Sequence, residues 1–367
     1  MRFLAERDYL VKTLALVGRA AQARGVGSST RSGIKFVVDG NLATLTATDI
    51  DTTIITTMEV DGKENGSGVI PSRLMTDIAR SMPEGSVSVV VEDDKAIIEA
   101  GRTHFEVQIY PLETFPPTPD ITGDEVELPA KSLSEAISQV VRSASDDEVR
   151  PVLTGVLLSA NETSLRLVAT DSYRLAIRDL TDTKAISSGT QVLVPAKALH
   201  EVDRMAESQG EDSIFLYMDG LHARFRIGNT SLTTQLINDS FPSYEQLIPK
   251  EFIQTIKVEK SVILEAIKRM RLLVRDATTS VRLTTDDGGL ELAVITSEVG
   301  KAVERMDGDI EGEATSTSFN PQYLADGIEA VIESEVMIRV PEKGKPALIS
   351  GVSDDNYRYV LMPVRVS

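Results

Sequence analysis

The chain contains no cysteine, so it can build no disulfide framework, thiolate zinc site or cysteine nucleophile. Nowhere do apolar residues run on for the roughly 20 positions that a membrane span needs. The opening Met1-Arg2-Phe3-Leu4-Ala5-Glu6-Arg7-Asp8 carries charges where a secretory leader would keep an unbroken apolar stretch, so a cytoplasmic protein with no membrane association is expected. There is no Gly-x-x-x-x-Gly-Lys-Ser/Thr phosphate loop, Gly-x-Ser-x-Gly elbow or His-Glu-x-x-His zinc motif. The three histidines, His104, His200 and His222, stand far apart and read as surface or locally bonded groups. Neither a cofactor nor a metal is expected. Net positive charge is also missing: the balance is −18 at pH 7. That argues against a general nucleic-acid-coating protein, because phosphate binding is driven by clustered Lys and Arg that release counterions. A DNA partner would require the positive charge to gather on one face.

What the sequence does hold is a repeat. With 367 residues, the chain is long enough for two or three domains at roughly 100–200 residues each. Three segments place a proline where a helix follows a short strand: Val69-Ile70-Pro71-Ser72, Val194-Pro195-Ala196-Lys197 and Phe319-Asn320-Pro321-Gln322. Proline suits a helix's first turn, where its missing N–H would have no partner anyway. These prolines stand 124 and 126 residues apart. Ala47-Thr48-Asp49 recurs as Ala169-Thr170-Asp171, and Phe115-Pro116 as Phe241-Pro242. Three units at about 1–121, 122–250 and 251–367 fit these marks, divided at proline- and acid-rich connections.

Each unit is itself doubled, since a helical segment precedes each proline-started one: Asp8–Ala20, Ser132–Ser143 and Val262–Val274. Alternating runs such as Ala43-Thr44-Leu45-Thr46-Ala47 lie between them, the pattern of half-buried antiparallel strands. Six helices and more numerous strands predict an α+β fold with helices on one face of antiparallel sheets.

Four of the helices repeat a basic pair seven residues apart: Lys12 and Arg19, Arg73 and Arg80, Lys197 and Arg204, Lys268 and Arg275. Each pair lies opposite an apolar stripe, for the second helix Leu74, Met75 and Ile78. The helices at Ser132–Ser143 and Asn320–Ile332 break the pattern, the last with Asp326 and Glu329. If these faces share one surface, their charges would attract phosphates without reading bases, in salt-sensitive contacts that permit sliding. Leu272 lies about 40° around its helix from Lys268, off the apolar stripe, so it reads as an exposed leucine requiring an interface.

Asp49 and Asp51 are the nearest approach to a paired-carboxylate site, and as metal ligands they would make a nuclease. Against that, Asp49 has a repeat partner in Asp171 while Asp51 corresponds to Tyr173, and strand ends use Asp for turns. A repeat-built scaffold that ignores DNA is a third reading.

Leu167-Val168-Ala169-Thr170-Asp171-Ser172-Tyr173-Arg174-Leu175-Ala176, Phe241-Pro242-Ser243-Tyr244-Glu245-Gln246-Leu247-Ile248-Pro249 and Tyr359-Val360-Leu361-Met362-Pro363-Val364-Arg365 resemble signatures of the bacterial DNA polymerase III β subunit, the sliding-clamp family. The likeness runs the full length in unbroken order. It implies a non-enzymatic head-to-tail homodimer of three-domain subunits, closed into a ring around duplex DNA with helices inside and sheets outside. The implied partners are the polymerase III alpha subunit, the clamp loader, other polymerases, mismatch-repair proteins and ligase, held by short linear motifs. By family position the motif pocket comprises Leu153, Thr170, Ser172, Tyr173, Arg174, Leu175, Pro242, Gln246, Leu247, Tyr323, Pro346, Val360, Met362, Pro363, Val364 and Arg365. Ser172-Tyr173 replaces a frequent Gly-His, and Gln246 a frequent basic residue; these departures bear on peptide preference. The resemblance adds Arg24 and Arg150 to the DNA-facing set, and sets Leu272 and Leu273 against Phe105 and Val107 on a first-domain edge strand of the other subunit. Tyr359 to Val366 alternate as a strand should, and Pro363, lacking an N–H, fits best near a strand's end or on an edge.

Overall fold

The computed structural model describes residues 1–21, 30–119, 121, 125–161, 163–181, 189–275, 279–286, 289–296 and 299–364. They form six half-units, each a strand, a helix and three further strands. The first is β1 (Arg2–Glu6), α1 (Arg7–Val17), β2 (Gly33–Asp39), β3 (Leu42–Thr48) and β4 (Thr52–Glu59), with an added β5 (Asp61–Glu64). The second is β6 (Gly66–Pro71), α2 (Ser72–Ser81), β7 (Ser86–Glu92), β8 (Lys95–Ala100) and β9 (Thr103–Gln108). The third is β10 (Val126–Pro129), α3 (Ala130–Val140), β11 (Gly155–Ala160), β12 (Ser164–Thr170) and β13 (Arg174–Thr181). The fourth is β14 (Gln191–Pro195), α4 (Ala196–Gln209), β15 (Ser213–Met218), β16 (His222–Ile227) and β17 (Thr230–Gln235). The fifth is β18 (Gln254–Glu259), α5 (Lys260–Met270), β19 (Val281–Asp286), β20 (Gly289–Thr296) and β21 (Gly300–Met306), with an added β22 (Asp309–Gly312). The sixth is β23 (Ser316–Phe319), α6 (Pro321–Glu329), β24 (Glu335–Val340), β25 (Ala347–Gly351) and β26 (Tyr357–Leu361).

The local rules behind these elements are simple. In β3 the alternating Ala43, Leu45 and Ala47 are fully buried, and the hairpin from β2 turns on Gly40 at φ +56°, a conformation glycine adopts without a Cβ penalty. In α5 the buried Ile263, Ala266, Ile267 and Met270 follow the helical spacing of one apolar stripe. The helices are shorter than their sequence patterns: α1 stops at Val17, and α3 and α5 pass into 3-10 turns at Val141–Ser143 and Arg271–Leu273. Only Pro321 opens its helix; Pro71 and Pro195 close the preceding strands one residue earlier. Leu74 is exposed beside Arg73 rather than on the buried stripe of α2, which Met75, Ile78 and Ala79 supply.

The sheets are antiparallel throughout the described residues, and paired half-units exchange first strands. β1 pairs with β7-β8-β9 and β6 with β2-β3-β4, and the exchange repeats for β10 and β14 and for β18 and β23. Six quartets result. Four are joined in twos through their third strands, β4 to β17 and β13 to β26, making an eight-stranded sheet and, with β22 added, a nine-stranded one. β9 and β21 are the two such strands left as free edges. By contacts the chain divides into two compact units, Met1–Lys131 with Glu201–Leu236, and Ser132–His200 with Ile237–Ser367. Both joints therefore run inside a unit, between strands of successive sequence repeats. β26 lies between β13 and β25 and ends at Leu361, so the chain's last strand is central and shorter than the alternation to Val366 implies.

Candidate functional site

The Ala-Thr-Asp repeat is a turn motif used twice. The Thr48 hydroxyl accepts the Ile50 N–H at 3.1 Å and the Asp49 carboxylate the Thr52 N–H at 2.7 Å. At the second copy Thr170 accepts from Ser172 at 3.1 Å, and Asp171 from Tyr173 and Arg174 at 2.9 and 3.0 Å. Side-chain oxygens of Thr and Asp satisfy turn N–H groups in this way. The residue after each Asp is forced into the left-handed region, Ile50 at φ 90° and Ser172 at φ 79°. The nuclease reading loses its support here, because Asp49 is occupied in its own turn, and burial, the larger influence, raises its pKa against that bond. Among the described residues no group of three or more His, Cys, Asp or Glu could hold a metal ion.

In the second copy the turn builds more. The Arg174 Nε donates to Asp171 at 2.9 Å and its Nη1 to Asp326 of α6 at 2.5 Å, with all three side chains nearly buried. Its guanidinium lies 4.2 Å from the centre of the Tyr323 ring, a cation–π contact, and the ring of Tyr173 stacks on Tyr323 at 6.5 Å and 29°. Burial, then the charge of Asp171, raises the Tyr323 hydroxyl above its ordinary pKa. Two adjacent carboxylates thus hold one arginine fixed, and the arginine fixes an aromatic wall.

Leu175, next in sequence to Arg174, belongs to a close-packed cluster with Leu157, Val168, Ile177, Leu193, Tyr244, Leu348 and Val360, and Phe241, Ile248 and Phe252 pack against it. Leu153, Leu175 and Val360 are buried, while Tyr173 (61%), Leu247 (49%) and Met362 (42%) stand exposed. Pro242 and Gln246 are exposed too, and Tyr323, Pro346, Pro363 and Val364 half-buried. The end of the chain is tied in: the Met362 N–H donates to Tyr173 O at 3.0 Å and the Val364 N–H to Ser318 O at 2.7 Å. Arg365 lies outside the described residues. Sequence reasoning missed Asp326, because an aspartate on a helix reads as solvent-facing, and Tyr244, whose burial no periodicity announces.

Of the candidate DNA-facing residues, Lys12, Arg80 and Arg275 are exposed, and none has an ion-pair partner among the described residues. Others are held by nearby acids: Arg19 and Arg204 by Glu201 at 3.3 and 3.2 Å, Lys197 by Glu148 at 3.3 Å, and Lys268 by Glu265 at 3.5 Å. Arg73 is almost fully exposed, with Asp77 4.0 Å away. Arg150 reaches Asp147 at 3.8 Å and the Ser172 hydroxyl at 3.2 Å, which ties it to the aromatic wall. Arg24 lies outside the described residues. The acids of α6 are engaged as well, Asp326 by Arg174 and Glu329 by Arg142.

Leu272 is 77% exposed in the 3-10 turn after α5, and Leu273 is half-buried. On β9, Phe105 is 37% exposed, but Val107 is buried against its own sheet, so Phe105 is the accessible residue of the two. His104 has carboxylates that its sequence spacing hid, Glu99 across the hairpin at 2.8 Å and Glu106 at 3.5 Å. Hydrogen bonds to Glu99 and then Glu106 raise its pKa.

An arrangement of this kind offers no nucleophile and no acid–base pair. It offers buried apolar residues and, on the surface, the exposed Tyr173, Leu247 and Met362. Family profiles for the DNA polymerase III beta subunit match in three consecutive parts, the N-terminal domain over residues 1–119, the central domain over 127–243 and the C-terminal domain over 245–365. The chain belongs to the beta sliding clamp family. The beta sliding clamp of Streptomyces coelicolor is 30% identical over the full length of both chains. The crystal structure of the DNA polymerase sliding clamp from Bacillus subtilis superposes with a TM-score of 0.94 at 26% identity, covering both chains completely. A Pseudomonas aeruginosa clamp crystallised with griselimycin gives 0.93 at 27%, again over both full chains. The protein is accordingly a three-domain DNA sliding clamp, a non-catalytic processivity subunit of DNA replication. Clamp membership carries DNA, a polymerase and a second copy of the chain as partners. Among the described residues, no helix is long and apolar enough to cross a membrane.

Proposed function

We propose that two copies of this chain close head to tail into a ring that surrounds duplex DNA in the cytoplasm. The supporting observation is the pattern of joints: third strands meet at β4–β17 and β13–β26, and among the described residues only β9 and β21 are left without such a mate. The free edge of one copy can be capped by the other free edge of a second copy, a head-to-tail contact that closes after two. Leu272, on the turn beside β21, and Phe105 on β9 would then lose their exposure together. The domains divide at about 1–121, 122–250 and 251–367.

Lys12, Arg80 and Arg275, with Arg24, Arg73 and Lys268, supply the inner positive field; Arg19, Lys197, Arg204 and Arg150 contribute less because neighbouring acids already hold them. An overall negative charge disfavours wrapping of DNA on the outside. The Tyr173–Tyr323 wall, with Leu247, Met362 and the buried Leu153, Leu175 and Val360, receives short apolar segments of the polymerase III alpha subunit, the clamp loader, other polymerases, mismatch-repair proteins and ligase. The decisive experiment is retention on nicked circular DNA after loading. Release on linearising the circle is expected, and protein that stays bound to the linear product would refute a topological link.

A further inference from the structure

Three charged side chains meet on the sheet face that carries Leu175 and Val360. Arg166 in β12 lies directly opposite Asp179 in β13 and grips it with two nitrogens, Nε at 2.6 Å and Nη2 at 3.0 Å. Arg358 in β26 stands opposite Ile177 and reaches the same carboxylate diagonally, Nη2 at 2.5 Å. Side chains two residues apart on a strand share a face, so these three lie beside Val168, Ile177 and Val360 of the close-packed cluster. Among the described residues, Asp179 is the only acid that either arginine meets. One carboxylate therefore ties β12, β13 and β26 together.

The same node reaches the segment that packs on this face. Tyr244 is buried in the cluster, with Phe241 edge-on at 6.2 Å, and its carbonyl accepts the Leu247 N–H at 2.9 Å. Its hydroxyl lies beside the Arg166 guanidinium, whose pKa is raised by hydrogen bonding to Asp179 first and to Tyr244 after it. Pro242 and Leu247, on either side of Tyr244, stand exposed.

The internal repeat supplies a control. Arg166, Asp179 and Arg358 are the third, sixth and second residues of their strands, and in the β4–β17 joint those places hold Thr44, Thr57 and Ser231. The pairing is the same, Thr44 opposite Thr57 and Ser231 opposite Ile55. A joint of this plan thus forms without any charge at the three positions. The charged node occurs in the joint that also carries the Tyr173–Tyr323 wall.

Resting on the reading of that wall and its surroundings as the partner site, we propose that Asp179 is a positioning residue for partner binding: through Arg166 it fixes Tyr244 and with it Pro242 and Leu247, and through Arg358 it fixes the strand that continues into Met362. Asp179 itself touches no partner. Affinity depends on such a group because a site whose side chains are already held in place loses less freedom on binding.

Asp179→Asn keeps the shape of the side chain and leaves two guanidinium groups without their anion. Binding of a fluorescent peptide with the tail sequence of the polymerase III alpha subunit should weaken about fivefold or more, the scale on which residues coupled to a site alter it without contact. Tyr244→Phe, which keeps the buried ring and removes only its hydroxyl, should weaken binding about two- to threefold. Combining the two should add little to Asp179→Asn alone, since members of one network are not additive. Hydrogen exchange at the Leu247 and Met362 amides, bonded to Tyr244 O and Tyr173 O in the unsubstituted protein, should quicken in Asp179→Asn. A merely structural role would lower the urea midpoint and leave the affinity of the folded protein unchanged. Wild-type protein that does not bind the peptide would refute the partner-site reading itself. A wild type that binds, with Asp179→Asn folded and its affinity or both amides unaltered, would overturn the role of Asp179 and leave the site standing. Should Asp179→Asn not fold, Tyr244→Phe decides alone, and unaltered affinity in that variant overturns the proposal.

Discussion

Gly327 lies directly against the ring of Tyr359: a Cβ at that helix position would stand 2.4 Å from the ring. The ring cannot swing away, because its hydroxyl donates to Tyr323 O at 2.8 Å one turn earlier in α6. The helix therefore rests on β26 by its backbone, and the aromatic wall takes its height from that contact.

Gly327→Ala should accordingly destabilise the protein. Alanine gains about 1 kcal/mol in helix propensity, but forcing a methyl group into filled space costs about 1–3 kcal/mol, and the ring is anchored. Urea denaturation should show a lower midpoint, and partner-peptide affinity should fall with it because Tyr323 rides on the same helix. An unchanged midpoint would mean that α6 can lift without penalty.

Asp326→Ala tests the arginine clamp. Arg174 would keep Asp171 but lose its second carboxylate in a nearly buried setting, where breaking an ion pair costs about 3 kcal/mol. We expect a stability loss of that order, together with weaker binding of an apolar polymerase-tail peptide. Full peptide affinity in a destabilised variant would remove Arg174 from the site's support.

Ile50→Gly should stabilise. Ile50 is half exposed, so little burial is given up, whereas a β-branched residue at φ 90° carries a steric cost of about 1–2 kcal/mol. Part of this is offset by the greater freedom of glycine in the unfolded chain, about 0.5–1 kcal/mol. A net rise in thermal midpoint is expected; a fall would show that the Ile50 side chain has packing that its exposure conceals.

Removing Met362 through Ser367 leaves β26 intact but deletes the bonds to Tyr173 and Ser318. The shortened chain should remain dimeric, because β9 and β21 are untouched, and should lose peptide binding. In the intact protein, calorimetry should give a negative heat-capacity change on binding, the mark of apolar burial. Retained affinity after truncation would locate the peptide elsewhere.

Much of this was legible in the sequence because it is periodic. Six helices, their alternation with strands, the doubling of each repeat and the exposed Leu272 all follow from spacing along a single chain. What the spacing does not carry is pairing between distant segments. The exchange of first strands between half-units, and the central position of β26, depend on which edges meet. The fate of charges is hidden for the same reason: Lys197 is held by Glu148, Arg19 by Glu201 and Asp326 by Arg174, each partner 49 or more residues away. Basic faces that look open in a helical projection are therefore partly neutralised. The Thr-Asp turn was visible as a repeat, yet only its backbone angles reveal why Ser172 and Ile50 occupy positions where glycine would be easier.

The exchange of first strands also sets an order of assembly during synthesis. β1 has only the short β5 to pair with until Ser86–Val90 have been made, and β13, with Leu175 and Ile177 on its open edge, waits for residues 357–361. A nascent chain must therefore carry an apolar, unpaired edge through the translation of nearly half its length, and such edges recruit other chains. The same geometry that gives the finished protein well-covered joints makes its growing form dependent on being kept apart from its neighbours on the polysome.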